Sequence, residues 1–119
     1  MELSEVFKTL GDENRLRILG ILFKQDLCVC EVEMILNMTQ SNVSRHLAKL
    51  KNAGIISYDK KAQWVYYEIN KRFIERYPKL YALLREESEK SKSFAKDMAL
   101  FEKYRDSNCS FVEFKETML

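Results

Sequence analysis

Glycine and proline are scarce, three and one in 119 residues, so the chain has few natural breaks and reads as mostly helix. No apolar run approaches the roughly 18 residues expected of a membrane-spanning helix. The opening M-E-L-S-E-V-F-K carries charge where a secretory leader would need an apolar core. The expected location is therefore the cytoplasm, with no membrane partner. Cysteine is limited to three, an odd number, which argues against a disulfide framework where thiols are kept reduced. A single histidine, no Gly-rich phosphate loop and no HExxH motif leave no catalytic constellation, so an enzyme is not expected.

What is present fits one globular domain over residues 1–104 with a tail at 105–119, since 46% hydrophobic and 32% charged residues are ordinary for such a chain. Net charge is +2 but unevenly placed. Residues 40–72 hold seven Lys/Arg against two acids, a basic centre between acidic arms. That suits a polyanion, although a solvated surface reads the same way.

Leu3, Val6, Phe7 and Leu10 share one helical face, and Gly11 ends that helix. Asp12 is a good N-cap for a second helix to about Lys24. A third runs from about Val29 to Asn37. Thr39 caps a fourth, Gln40 to Asn52, closed by Gly54. Residues 55–69 are rich in β-branched and aromatic side chains around the polar K-K-A-Q, which predicts a two-stranded hairpin. Trp64, Tyr66 and Tyr67 are assigned to packing within it. Asn70 then caps a helical region to about Tyr104, broken near Pro78. The fold class is mainly α with a small β-hairpin wing, a winged helix-turn-helix.

The fourth helix separates into two faces. Val43, Leu47 and Leu50 fall on one stripe; Ser41, Arg45, Ala48 and Asn52 lie opposite, flanked by Ser44 and Lys49. A small, polar and basic face without carboxylates is what a recognition helix shows to the major groove. Arg45 can pair with guanine and Gln40 with adenine. Ser41, Asn42, Ser44 and Lys49 complete the expected contacts, with serine and lysine positioning on phosphates. His46 sits beside the core stripe, in a packing or phosphate-contact role. Lys60, Lys61 and Gln63 at the wing tip can reach backbone or a neighbouring groove.

The segments T-L-G-D-E-N-R-L-R-I-L, L-C-V-C-E-V, Q-S-N-V-S-R-H-L-A-K-L-K-N-A-G-I-I and W-V-Y-Y-E-I, in this order over residues 3–75, resemble the ArsR/SmtB family of winged-helix repressors. The resemblance implies a homodimer built from the first and last helices, an operator with two-fold symmetry, and release of DNA on binding a metal ion or metalloid. Leu80, Leu83, Leu84, Phe94, Met98 and Phe101 offer the last helix more apolar surface than a small domain needs.

Cys28 and Cys30 admit three readings: small apolar packing, a redox pair with one residue fewer between the sulfurs than usual, or a metal clamp. In a regular helix, residues two apart point about 200° away from each other, so a clamp needs an extended or frayed start to the third helix. The resemblance places C-V-C with the arsenic- and antimony-sensing type, which commonly has a third cysteine three residues on. Glu33 stands there instead. Cys109 is the candidate replacement, giving three sulfurs for As(III) or Sb(III). Glu31 or Glu33 joining two sulfurs would suit Cd, Pb or Zn better. The family's other site, Asp, His and Glu on the last helix, is expected to be absent. Glu86, Glu87, Glu89 and Asp97 read there as a solvated face.

Overall fold

In the computed structural model, which describes residues 1–106, the chain runs α1 (Leu3–Leu10), α2 (Glu13–Leu22), β1 (Leu27–Cys28), α3 (Val29–Leu36), α4 (Gln40–Asn52), β2 (Ile56–Lys61), β3 (Trp64–Ile69), α5 (Lys71–Arg76), α6 (Pro78–Lys90) and α7 (Lys92–Asp106). Side-chain caps start the helices where the sequence places them. Asp12 accepts the N–H groups of Asn14 (2.8 Å) and Arg15 (3.1 Å). Thr39 accepts that of Asn42 (3.2 Å) and Asn70 that of Arg72 (3.1 Å). Each satisfies helix-end donors that would otherwise lack partners.

The inner stripe of α4 is fully withdrawn from water: Val43, Leu47 and Leu50 are 0% exposed. At about 1.5–3 kcal/mol for each buried side chain, any rotation of α4 about its axis is costly, which fixes the face it turns outward. Below it pack Ile18, Leu19 and Ile21 of α2, Val32 and Ile35 of α3, and Ile55 and Ile56 at the start of the wing.

Three features depart from the sequence expectation. First, the wing is a three-stranded antiparallel sheet, order β1-β3-β2. The two-residue β1 pairs Leu27 with Tyr67 and Cys28 with Tyr66. Two residues are too few to show a strand period. Second, the last helical region breaks at Ser91 as well as at Tyr77 and Pro78. Ser91 is extended, and its Oγ accepts the Phe94 N–H at 2.9 Å, capping α7. The turn lets α7 fold back across α2 and α3, so Phe101 joins its own core at 2% exposed instead of remaining free. Third, Asp97 belongs to no solvated face: it is 1% exposed and paired with Arg17.

Strands β2 and β3 join through Ala62 and Gln63, and Ala62 sits at φ +58°, a left-handed conformation in which Cβ is crowded. Ala62→Gly is expected to stabilise the chain by about 0.5–1 kcal/mol, read as a raised urea midpoint with unchanged slope. Trp64 is 40% exposed; at the tip it packs less than the hairpin assignment expects. Tyr58 and Tyr67, directly paired across the strands, place their rings 5.9 Å apart.

Candidate DNA-reading face and cysteine site

Helix α4 turns Gln40, Ser41, Asn42, Ser44, Arg45 and Lys49 to solvent, and Lys60, Lys61 and Gln63 are exposed on the wing. Asn42 Oδ1 accepts from Arg45 Nη2 at 2.9 Å, which aims the guanidinium along the exposed face. The two sets combine a helix end and a basic strand tip, the pieces a groove and its phosphates require.

His46 is placed differently. It is 5% exposed, and its Nδ1 has no partner among the described residues. It belongs to the underside of the helix, because the step from Val43 brings it within one turn of the core stripe. Burial pushes its pKa below the ordinary 6.5; Asp12 opposes this, and Arg15, Arg45 and Lys49 add to it. The neutral ring is therefore favoured in the folded chain. This contribution is fully present above the unfolded value of 6.5 and lost as pH falls through the window below it, where the unfolded chain binds the extra proton. Stability is expected to decline as pH falls from neutral through that window. Urea unfolding of the parent and of His46→Gln checks this: the variant should show a shallower dependence there.

The cysteines sit at a junction. Cys28 ends β1 and is also the N-cap of α3, extended at φ −87°, ψ 167°. Cys30 lies two residues further, half-buried in the first helical turn. The backbone at Cys28 is thus extended, not helical, as a two-sulfur clamp at the start of α3 requires. The Cys28 thiol is 6% exposed, and burial, opposed by the Glu31 N–H and reinforced by the Glu31 charge, pushes its pKa up to about 11. The junction is closed by a capping box in which sulfur stands where a hydroxyl is usual: the Glu31 backbone faces the Cys28 side chain, and Glu31 Oε1 accepts the Cys28 N–H at 3.0 Å.

Sequence reasoning missed what the buried Glu31 does with its other oxygen. Glu31 Oε2 accepts the Tyr104 hydroxyl proton from α7. Both oxygens of Glu31, named above as a possible ligand, are thereby engaged. The C-x-x-E spacing of Cys28 and Glu31 could have indicated the box; nothing in the sequence pairs Tyr104 with it. Among the described residues no three Cys, His, Asp or Glu side chains are gathered as a metal-ligand set. The donors present are two thiols, which fit a thiophilic ion but leave a three-coordinate site short by one. Cys109 lies outside the described residues.

The family model described as "Bacterial regulatory protein, arsR family" matches residues 12–58, from the cap of α2 into the wing. The arsenic resistance transcriptional regulator ArsR1 of Pseudomonas putida is 44% identical over 66 residues, 55% of this chain and 52% of that protein. A cadmium resistance regulatory protein CadC homolog of Staphylococcus aureus is 36% identical over 77 residues, 64% of each. The chain thus spans between about half and two thirds of these curated relatives. Among solved structures, the transcriptional regulator HlyU of Vibrio vulnificus superposes with a TM-score of 0.56 at 36% identity, covering 68% of this chain and 84% of that one. With that identity over most of a solved regulator, and a family match running from α2 through the recognition helix, the chain belongs to the arsR family of bacterial regulatory proteins.

Proposed function

We propose that the chain is a homodimeric transcriptional repressor of two-fold symmetric operator DNA, not an enzyme, released when Cys28, Cys30 and Cys109 hold As(III) or Sb(III). One observation carries the coupling. Cys28 stands where β1 meets α3, so the same residue is stitched to the wing through Tyr66 and starts the helix that backs α4.

Bound As(III) or Sb(III) would supply one thing, a bridge between sulfurs. Sharing one centre would favour a distorted start to α3, at Cys30 in its first turn or at Cys28 beside β3. Unwinding the first turn would disturb the helix that backs α4; moving Cys28 would loosen β1 from β3. Each disturbs an element of the DNA-reading face. A ligand shifts such an equilibrium only by its differential affinity for the two forms, and couplings of this kind run at about 1–3 kcal/mol, or 5–150-fold.

The arsenic regulator among the relatives supports the metalloid, and the cadmium regulator keeps Cd, Pb and Zn as the alternative inducers, with Glu33 half-buried on α3 as a nearby carboxylate. An oxidation switch on the same cysteines is less well supported, because reactive sensor thiols are accessible and Cys28 is buried. The dimer is supported by apolar side chains left outside the core: Leu3 (48% exposed), Phe7 (54%), Leu16 (38%) and Leu83 (51%). Helix α6 buries none of its residues fully.

Fluorescence anisotropy on DNA from upstream of the gene, titrated with arsenite under reducing conditions, tests the proposal. Release near one equivalent per subunit supports it, and tight binding unmoved by arsenite removes the metalloid. Arg45→Ala is expected to weaken binding by about 1–3 kcal/mol and to relax preference at one base pair, measured with single-base operator variants.

A further inference from the structure

An open notch of about 370 Å³ adjoins the recognition helix. Glu5 and Lys8 line it from α1, Arg15 from the first turn of α2, and Lys49 and Asn52 from the last turn of α4. Arg15 is held in place, because its Nε donates to the Thr9 carbonyl at 2.7 Å. Among the described residues, neither Arg15 nor Lys49 has a carboxylate within ion-pair distance. Lys8 has Glu5 at 3.6 Å, but both side chains are largely in water, and such a pair is weak. Three cations thus line the notch with one carboxylate. Their field reaches inward. Besides its burial, His46 is held below its ordinary pKa by Arg15, Arg45 and Lys49, against the opposing charge of Asp12. A cleft lined mainly by one sign of charge concentrates ions of the other.

We propose that this notch is a seat for the DNA backbone, in which Lys8 and the tethered Arg15 hold a phosphate of the operator beside the groove that α4 reads. The partner is duplex DNA, not a free anion, because the notch is continuous with the DNA-reading face: Lys49 and Asn52, both exposed, line the two together. Base edges are met by the start of a recognition helix, which leaves the last turn of α4 for the backbone. The contact lies outside the helix-turn-helix and the wing. It carries no sequence information; it sets how α4 lies in the groove. The proposal rests on the DNA-binding reading and not on the identity of the inducer.

The test is fluorescence anisotropy of the full chain on operator DNA and on an unrelated duplex, repeated over a range of salt. Lys24 and Glu89, also exposed and 3.6 Å apart, supply matched controls beyond the other end of α2. Lys8→Gln should lower the slope of log affinity against log salt by about 0.9, the release expected for one phosphate. Carried from about 1 M down to about 0.15 M salt, that slope amounts to about a fivefold loss of affinity. The loss should be the same on both duplexes. Glu5→Gln removes the carboxylate from the notch and should tighten binding. Lys24→Gln and Glu89→Gln should keep the parent's slope. Equal slopes for Lys8→Gln and Lys24→Gln overturn the seat. A loss confined to particular base pairs also overturns it, since Lys8 would then read bases. A parent that binds no duplex even at low salt is a separate failure, overturning the DNA-binding reading and the seat with it.

Discussion

Replacing Asp97 with alanine should destabilise the chain by about 3 kcal/mol, near the lower end of the 3–5 kcal/mol seen when one partner of a buried ion pair is removed. The geometry is of the strong kind. Arg17 donates from Nε to Asp97 Oδ2 and from Nη2 to Oδ1, both at 3.0 Å, a planar fork matched to a carboxylate. The guanidinium also bonds Asn14 Oδ1 at 3.2 Å and the Leu36 carbonyl at 3.1 Å, so α2, α3 and α7 meet at one side chain. The Asp97 hydrogen bond, against the cost of burial, raises the Arg17 pKa above its ordinary range; the cation persists at any accessible pH. Alanine removes the only carboxylate paired with that charge among the described residues and leaves it the neutral Asn14 and Leu36 oxygens. The lower figure is appropriate because the Arg17 side chain keeps 23% of its surface in water. Urea unfolding should show the loss as a lowered midpoint. Arg17→Met with Asp97→Leu should cost less than Asp97→Ala alone, because it removes the stranded charge along with the pair. Equal losses for the double and single variants would mean that packing, not charge, holds α7 in place.

The parts of this fold legible in the sequence are those with a local cause. Asp12, Thr39 and Asn70 cap helices through side chains two or three residues from the groups they satisfy. The stripe of Val43, Leu47 and Leu50 needs only the helical period. The exposed basic face of α4 follows from the same wheel. What escaped was set by contacts between distant residues. Asp97 looked solvated because neighbouring lysines and glutamates surround it in sequence, while its partner Arg17 is 80 residues away. Tyr104 and Glu31 are separated by 73 residues. Strand β1 exists because β3 lies beside it, not because Leu27 and Cys28 demand extension. His46 lay at the margin of two faces on the wheel, and in the fold it falls on the buried side with Val43, Leu47 and Leu50. At the cysteine site, the residue types were readable, while the pairing of Cys28 with Tyr66 across β1 and β3 was not.

The junction at Cys28 also determines how the cysteines should be tested. Alanine at Cys28 would remove the side chain that faces the Glu31 backbone as well as a thiol, and a loss of DNA binding would then be uninterpretable. Serine keeps the cap. Its hydroxyl can face the Glu31 backbone as the sulfur does, and the Glu31 carboxylate can still take the N–H of residue 28. Cys28→Ser with Cys30→Ser is therefore expected to unfold within about 1 kcal/mol of the parent, and its affinity for operator DNA should be essentially unchanged. Release by arsenite should be abolished, with affinity for the metalloid down by more than about 100-fold, beyond the 10–100-fold typical of losing a supporting partner. Anisotropy on operator DNA reads both quantities in one titration. The informative failure is a double variant that folds normally yet binds DNA poorly without any metalloid. Such a result would make the thiols part of the DNA-bound structure, with β1 and the first turn of α3 depending on sulfur for their packing against the wing. The opposite failure, a variant still released by arsenite, would move the inducer away from this junction and remove the coupling of Cys28 to both the wing and α4 as the means of release.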